Sequence, residues 1–476
     1  MSQFNFPRST PEAQGLRSSA VLDFVNSLKN RNIELHSLMI LRNAHVVASA
    51  WWKPYGPQIP HSLYSLTKSF TSTAAGFAVS EGLFTLDDKV ISFFPDKLPD
   101  EVSDNLAAIR VRDLLTMTSG FLADPMHPVN LSLTNDWVRT ILAQPVPYTP
   151  GETFQYNSSA SHMVSAIVQA TSGLRVQDYL GPRLFEPLGF GEIQWQNCPS
   201  GMSIGGWGLK LRTEDLARLG VLYVQDGVWN GKRVLLEGWA KLASSRQVEN
   251  GPDPENDWNQ GYGFQFWRCR HNVFRGDGAF GQYCVVMPDQ NAVIAITSGI
   301  GDMQAVLTEI WDHLLPAMTK ESFPDDNAAH STLLSTLEAA SLSYPSNGIN
   351  KLNDVNERGS YIVETEGSSP FEVDFAYSGG TAKICFSGSG ALAIRSEHWS
   401  DTGAKSFQDV EGPIIGRGAW TDQSTYRAHL VANETPFGFD VSLRFSEDGK
   451  LDIDIQRNVG FDGAPVKKLF GKRSKK

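Results

Sequence analysis

Ser65 and Lys68 stand three residues apart in Tyr64-Ser65-Leu66-Thr67-Lys68-Ser69-Phe70-Thr71. Residues i and i+3 of a helix share a face one turn apart. A hydroxyl and an amine at this spacing therefore come within hydrogen-bonding reach. Serine alone is a weak nucleophile, and a lysine whose pKa is lowered by burial can take its proton. Phe70, Ala74, Phe77 and Ala78 follow at helical spacing, and Gly82 is a stop signal. The pair thus falls at the N-terminus of a core helix, where partial positive charge favours a developing anion. Ser-x-x-Lys arises by chance about once or twice in a chain this long, so other stretches must support the reading.

Two stretches add chemistry. Pro150-Gly151-Glu152-Thr153-Phe154-Gln155-Tyr156-Asn157-Ser158 precedes an apolar helix and can place a phenol and a hydroxyl in a cleft. Tyr156 could relay a proton between Ser65 and a leaving group, provided cations depress its pKa. The alternative is a packed aromatic whose hydroxyl caps the next helix. Gly276-Asp277-Gly278-Ala279-Phe280-Gly281-Gln282-Tyr283 runs into a strand, and its small residues let backbone approach a substrate. The Ala279 N–H could pair with that of Ser65 as an oxyanion hole, where one lost donor costs roughly 10²–10³ in rate. The alternative is a glycine-rich hairpin entry. Val111–Gly120 and Gly205–Gly220 read as structural.

Taken in order, these motifs resemble the serine β-lactamase and penicillin-binding-protein superfamily. They are Tyr-Ser-x-x-Lys-Ser-Phe-Thr, Leu-Leu-Thr-x-Thr-Ser-Gly, Pro-Gly-x-x-Phe-x-Tyr, Gly-Leu-x-x-Thr-x-Asp-Leu-Ala-Arg-x-Gly and Phe-Gly-x-Tyr. The likeness spans about residues 10–318 and is nearest the class C β-lactamase-like branch of esterases, D-amino-acid-specific peptidases and nylon-oligomer hydrolases. It implies Ser65 as nucleophile, Lys68 as its base, Tyr156 as second proton-transfer group, and Ser65 with Ala279 as oxyanion hole. Asn157, Ser158, Asp277 and Gly278 are expected at the substrate. The pattern departs from the family in three places. Ser158 replaces the asparagine of Tyr-x-Asn, Gly276-Asp277-Gly278 lies near where Lys-Thr-Gly would fall, and Met117 stands for a histidine. An Asp277 facing the cleft would repel a substrate carboxylate, which argues against a dedicated β-lactamase. Arg275 could replace the missing cation, but reads as a surface residue.

Gly201-Met202-Ser203-Ile204-Gly205 fits the Gly-x-Ser-x-Gly nucleophile elbow, yet loop residues surround it where a strand and helix are required. Ser203 therefore reads as lining or bracing the cleft. The ten histidines are dispersed without metal-site spacing, and no dinucleotide or phosphate-loop fingerprint occurs. No metal or cofactor is expected. His162 reads as a satisfied helix residue.

The elements that must position these groups follow from hydrophobic period. Residues 18–30 predict a helix, 37–43 and 46–51 a hairpin, and 69–200 a mostly helical lobe. Helices are expected over 160–170, 178–185, 213–224 and 305–315, with strands over 263–267, 283–287 and 292–296. The fold class is α+β over residues 1–325, with a linker at 326–350. Residues 351–476 alternate at period two, as in 437–445 and 451–455, and predict an all-β sandwich or small barrel.

A 476-residue chain with 41% hydrophobic residues holds two domains or more with real cores. Net charge is -11 and basic residues are scattered, apart from Lys472 to Lys476, so no nucleic-acid partner is expected. Four widely spaced cysteines suggest free thiols, with neither a disulfide framework nor a zinc site. Met1 to Arg17 lacks an apolar core and no run reaches membrane-spanning length. A cytoplasmic protein without a membrane partner is expected, with homo-oligomerisation left open. The expected activity is acyl-enzyme hydrolysis of a small ester. Amides of D-amino acids are the alternative, β-lactams come third, and an idle binder or sensor is the reading of another class.

Overall fold

The computed structural model describes residues 5–124, 134–345, 357–365, 368–386 and 390–474. Its first half is built on an antiparallel sheet. The strands are β1 (Leu35–Arg42), β2 (His45–Trp51), β3 (Trp267–Arg268), β4 (Phe274–Gly278), β5 (Gln282–Met287) and β6 (Ala292–Ser298), in the order β2-β1-β6-β5-β4-β3. The chain thus enters and leaves the sheet at its centre, and everything between β2 and β3 is inserted.

Alternation along the strands makes two cores. Leu38 and Ile40, Tyr283 and Val285, and Ile294 and Ile296 face one side; Met39 and Leu41, Cys284 and Val286, and Val293 and Ala295 face the other. Both faces are covered, which is why these strands read as unbroken apolar runs. Helix α1 (Ser18–Asn30) lays Val21, Phe24, Val25 and Leu28 on the first face, at i, i+3, i+4 and i+7. On the second face lies a helical lobe containing α2 (Thr67–Ser80), α3 (Ser158–Ser172) and α4 (Thr213–Val224). α5 (Met303–Glu309) returns to the first face.

Two expectations change in detail. Strand is confined to Trp267–Arg268 where 263–267 was expected. Gln265 there takes a left-handed φ of 63° and buries its amide, which donates to the carbonyls of Leu114 and Leu115 at 3.1 and 3.0 Å. Its Oε1 also accepts from Ser161 Oγ at 2.6 Å, and a side chain tying two segments of the lobe overrides the local strand pattern. Within 326–350 runs helix α6 (Asn327–Glu338), whose Leu333 and Leu337 join the core under α1. Residues 346–350 of that stretch, and Lys475 and Lys476, lie outside the described residues.

The C-terminal part is a closed barrel of nine strands among the described residues. They are β7 (Glu357–Thr365), β8 (Ser368–Ser378), β9 (Thr381–Phe386), β10 (Leu392–Arg395), β11 (Ile414–Trp420), β12 (Thr425–Ala432), β13 (Gly438–Phe445), β14 (Lys450–Arg457) and β15 (Lys467–Arg473). The order is β10-β9-β8-β7-β15-β14-β13-β12-β11, and β10 pairs with β11 to close it. Tyr361, Phe375, Tyr377, Trp420 and Tyr426 fill the interior, so it is a packed core. Closure also removes the exposed edges of a sandwich.

The barrel holds the segment before Ser65. The Ser62 N–H donates to the Glu434 carbonyl at 2.8 Å, Lys210 Nζ to the Glu434 carboxylate at 2.8 Å, and the Tyr55 hydroxyl to the Thr435 carbonyl at 3.0 Å. Asn458 Nδ2 donates to Glu34 Oε1 at 3.0 Å.

Candidate active site

Tyr64-Ser65-Leu66 forms a single tight turn leading into α2. Tyr64 takes a left-handed φ of 48°, uncommon for a residue with a side chain, and this turns the next residue sharply into the helix start. Ser65 therefore sits at the positive end of α2. One turn on, Lys68 is 1% exposed, and its amine donates to Ser65 Oγ at 3.1 Å, Ser158 Oγ at 3.3 Å and the Gly206 carbonyl at 2.8 Å. Burial brings the Lys68 amine down to about 7, against the upward pull of Asp124 and Asp277. Near neutral pH a substantial fraction is then uncharged and able to accept a proton.

Tyr156 closes the group from the other side. Its hydroxyl lies close enough to Ser65 for the serine hydroxyl to oppose part of the effect of burial, and the Lys68 amine lies 4.9 Å from its ring centre. Its ring stacks on Trp267 at 5.3 Å and meets Tyr262 edge-on at 6.3 Å. The relay role was tied to the condition that cations depress this phenol. Instead, burial pushes its pKa far up, and Asp277 adds to that more than Arg275 takes away. Tyr156 is thus a neutral phenol at neutral pH, able to receive one proton as it passes on its own.

The Ala279 segment is brought in by missing side chains. A Cβ on Gly278 would overlap the Leu63 carbonyl oxygen and lie 3.2 Å from Leu66 N. Only glycine lets β4 lie against the Ser65 turn, which carries Ala279, the next residue, alongside it. Ser65 is at a helix start, where N–H groups have no intrahelical acceptor.

Arg275 is not at the surface. It is fully buried, its Nε donates to Asp277 Oδ2 at 2.9 Å, and its guanidinium lies 4.2 Å from a ring centre of Trp258. The two side chains share a face of β4 because they are two apart. Burial raises the Asp277 carboxyl, with Arg275 the main opposing pull. Asp277 thus faces a matched cation, and that cation is engaged.

Ser158 and Asn157 divide. Ser158 Oγ accepts from Lys68, whereas the Asn157 side chain is buried in its cap role: Oδ1 accepts from Ala160 N at 2.7 Å and Nδ2 donates to the Gln155 carbonyl at 2.8 Å. With both ends of its amide engaged by backbone, Asn157 holds the start of α3, and the expectation that it touches substrate gives way to that. Asp124 went unnoticed in the sequence. Its carboxylate accepts from the N–H groups of Ser158 and Ser159 at 2.7 and 3.2 Å, fixing Ser158 beside Lys68. A lone aspartate in a loop carries no spacing signal.

Ser203 is fully buried, and its backbone carbonyl accepts from Ser165 Oγ at 2.7 Å, so it braces α3. His162, expected to be satisfied, is buried with no hydrogen-bond partner on either ring nitrogen among the described residues, and burial holds it at about 4. Among the described residues no cluster of His, Cys, Asp or Glu could hold a metal ion, and no helix is long and apolar enough to cross a membrane.

A buried amine of lowered pKa on a serine hydroxyl, beside a neutral phenol, in a sheet with an inserted helical lobe, defines a class of hydrolytic serine enzymes. The Beta-lactamase family model matches residues 25–308, and the chain belongs to that family. The 6-aminohexanoate-dimer hydrolase of Paenarthrobacter ureafaciens is 25% identical over 319 residues, covering 62% of this chain and 80% of the relative. The octameric penicillin-binding protein homologue of Pyrococcus abyssi superposes with a TM-score of 0.50 at 15% identity, over 95% of this chain and 99% of that one. SurE with D-Leu gives a TM-score of 0.52 at 17% identity, over 89% and 98%. These last two are likenesses of fold.

Proposed function

We propose that this protein hydrolyses small esters through an acyl-enzyme on Ser65. The observation that carries the reading is the Lys68 amine, 1% exposed and 3.1 Å from Ser65 Oγ. Ser65 Oγ attacks the ester carbonyl carbon as Lys68 Nζ takes its proton. The resulting oxyanion rests on the N–H groups of Ser65 and Ala279. Lys68 returns the proton through the Tyr156 hydroxyl to the leaving oxygen, the carbon–oxygen bond breaks, and the alcohol departs. Water then attacks the acyl carbon, with the same pair accepting its proton and restoring Ser65. Ser158, Asp277 and Gly278 line the site.

An ester is preferred because the groups that would hold a peptide are engaged elsewhere. Ser158 offers a hydroxyl to Lys68, where an amide side chain would contact a substrate amide. Arg275 is bound to Asp277 and so gives no free cation for a carboxylate. Two likenesses favour a second reading, an amide of a D-amino acid or short oligomer. The 25% identical relative is named for an oligomer, and the SurE fold neighbour is described with D-Leu. Homo-oligomerisation gains support from the neighbour described as octameric.

Stopped-flow hydrolysis of p-nitrophenyl acetate, D-leucine p-nitroanilide and nitrocefin tests this. The ester should give a burst equal to the enzyme concentration, and Ser65→Ala should lose it while Ser203→Ala keeps it. A burst surviving in Ser65→Ala refutes the assignment. A higher kcat/KM on the anilide selects the second reading.

A further inference from the structure

The residues flanking the two oxyanion N–H groups are both aromatic and both left-handed. Tyr64 precedes Ser65 with φ 48°, and Phe280 follows Ala279 with φ 68°. Their rings meet edge-on at 5.4 Å. The barrel adds two more rings. Phe437 reaches both, at 6.4 Å from Tyr64 and 5.7 Å from Phe280, and Phe461 does likewise at 6.1 and 4.8 Å. Phe461 is 80% exposed, so its ring presents the solvent-facing side of this group of four.

The ring is also held in place. Its neighbour Asp462 accepts from Arg457 Nη2 at 2.7 Å and from Ala464 N at 3.0 Å, and the Arg457 guanidinium lies 5.4 Å from the Phe437 ring centre. An exposed aromatic on an anchored loop is pre-organised for contact. A second aromatic wall, of Phe154, Tyr156, Tyr262 and Trp267, surrounds the proton-transfer side, and among the described residues no ring contact joins the two walls. The leaving group must lie beside the proton donor Tyr156, which directs the acyl substituent to the other wall.

We infer that Tyr64, Phe280, Phe437 and Phe461 form an acyl-side subsite for an aryl or bulky hydrocarbon substituent, completed by the barrel. This rests on the acyl-enzyme reading above and names the substrate's acyl class within it. It also gives the barrel a role in specificity.

The test compares p-nitrophenyl phenylacetate with p-nitrophenyl acetate, which share a leaving group. In Phe461→Ala the ratio of their kcat/KM values should fall about tenfold, the scale of one apolar contact in a pocket. Phe461→Tyr, which keeps the ring, should keep the ratio. Exposure of Phe461 protects the fold from either change. A ratio unchanged in Phe461→Ala, or both rates falling alike, overturns the subsite. So does a change in association state by light scattering with the ratio intact, which would make the ring a contact between copies. Ligand-observed NMR of methyl phenylacetate and methyl acetate on the Ser65→Ala protein reads the subsite without turnover. Selective binding of the aryl ester, weakened by adding Phe461→Ala, upholds the subsite even if the Ser65 burst assay fails. Equal binding of both esters overturns it.

Discussion

Replacing Lys68 by methionine, similar in volume and uncharged, should stabilise the protein in acid and destabilise it in alkali. Folding brings this amine from 10.5 to about 7. Below pH 7 both states carry the proton, and the folded state holds an unwelcome charge. Between pH 7 and 10.5 folding releases that proton, so stability rises with pH; above 10.5 the cost is gone. At 1.36 kcal/mol per pKa unit the full cost is about 5 kcal/mol. Against it, methionine forfeits the bonds to Ser65, Ser158 and the Gly206 carbonyl, about 3 kcal/mol at ~1 kcal/mol each. Lys68→Met should therefore gain about 2 kcal/mol at pH 6 and lose about 3 kcal/mol at pH 10.5, while acylation disappears. Urea unfolding at a series of pH values gives both curves. Parallel curves for wild type and variant would mean that Lys68 is an ordinary ammonium in the fold, and the proposed base would go with it.

Three further outcomes follow from the same geometry. Wild-type kcat/KM on p-nitrophenyl acetate should rise with pH through about 7, because only the uncharged Lys68 accepts a proton; a flat profile from pH 5.5 to 8.5 would contradict this. Asp124→Asn removes an anion that raises Lys68, so the acid limb should move to lower pH, with about 1 kcal/mol of stability lost at the α3 cap; an unmoved limb tells against the coupling. Gly278→Ala forces β4 off the Leu63 carbonyl and should cost about 10²-fold in acylation, as for an ångström of misplacement or a lost oxyanion donor. A variant within threefold of wild type would remove Ala279 from the proposed site.

What the sequence made legible is what it encodes locally. Ser65 and Lys68 meet because of helical spacing alone, and the two-faced burial of β5 and β6 shows as unbroken apolar runs. Arg275 was misread because charge suggests exposure, although Asp277 two residues along places its partner on the same strand face. The Tyr156 protonation state depends on Trp267 and Tyr262 covering it, more than a hundred residues away in the chain. Gly206 acts through a carbonyl, which every residue has, and Asp124 through a loop position. No local pattern announces either.

The barrel was legible as a fold but not in how it meets the first domain. Period-two alternation predicts its strands but says nothing of where its loops dock. That is decided by Glu434 and Thr435, which hold Ser62 and Tyr55, three and ten residues before Ser65. Tyr64 lies between that anchor and Ser65, in a backbone region of about 1–3 kcal/mol strain that persists only when its surroundings over-determine it. The anchored Ser62 on one side, α2 on the other and the rings of Phe280 and Phe437 around it supply that constraint. The barrel therefore has a mechanical claim on the Ser65 turn that is independent of any substrate it touches.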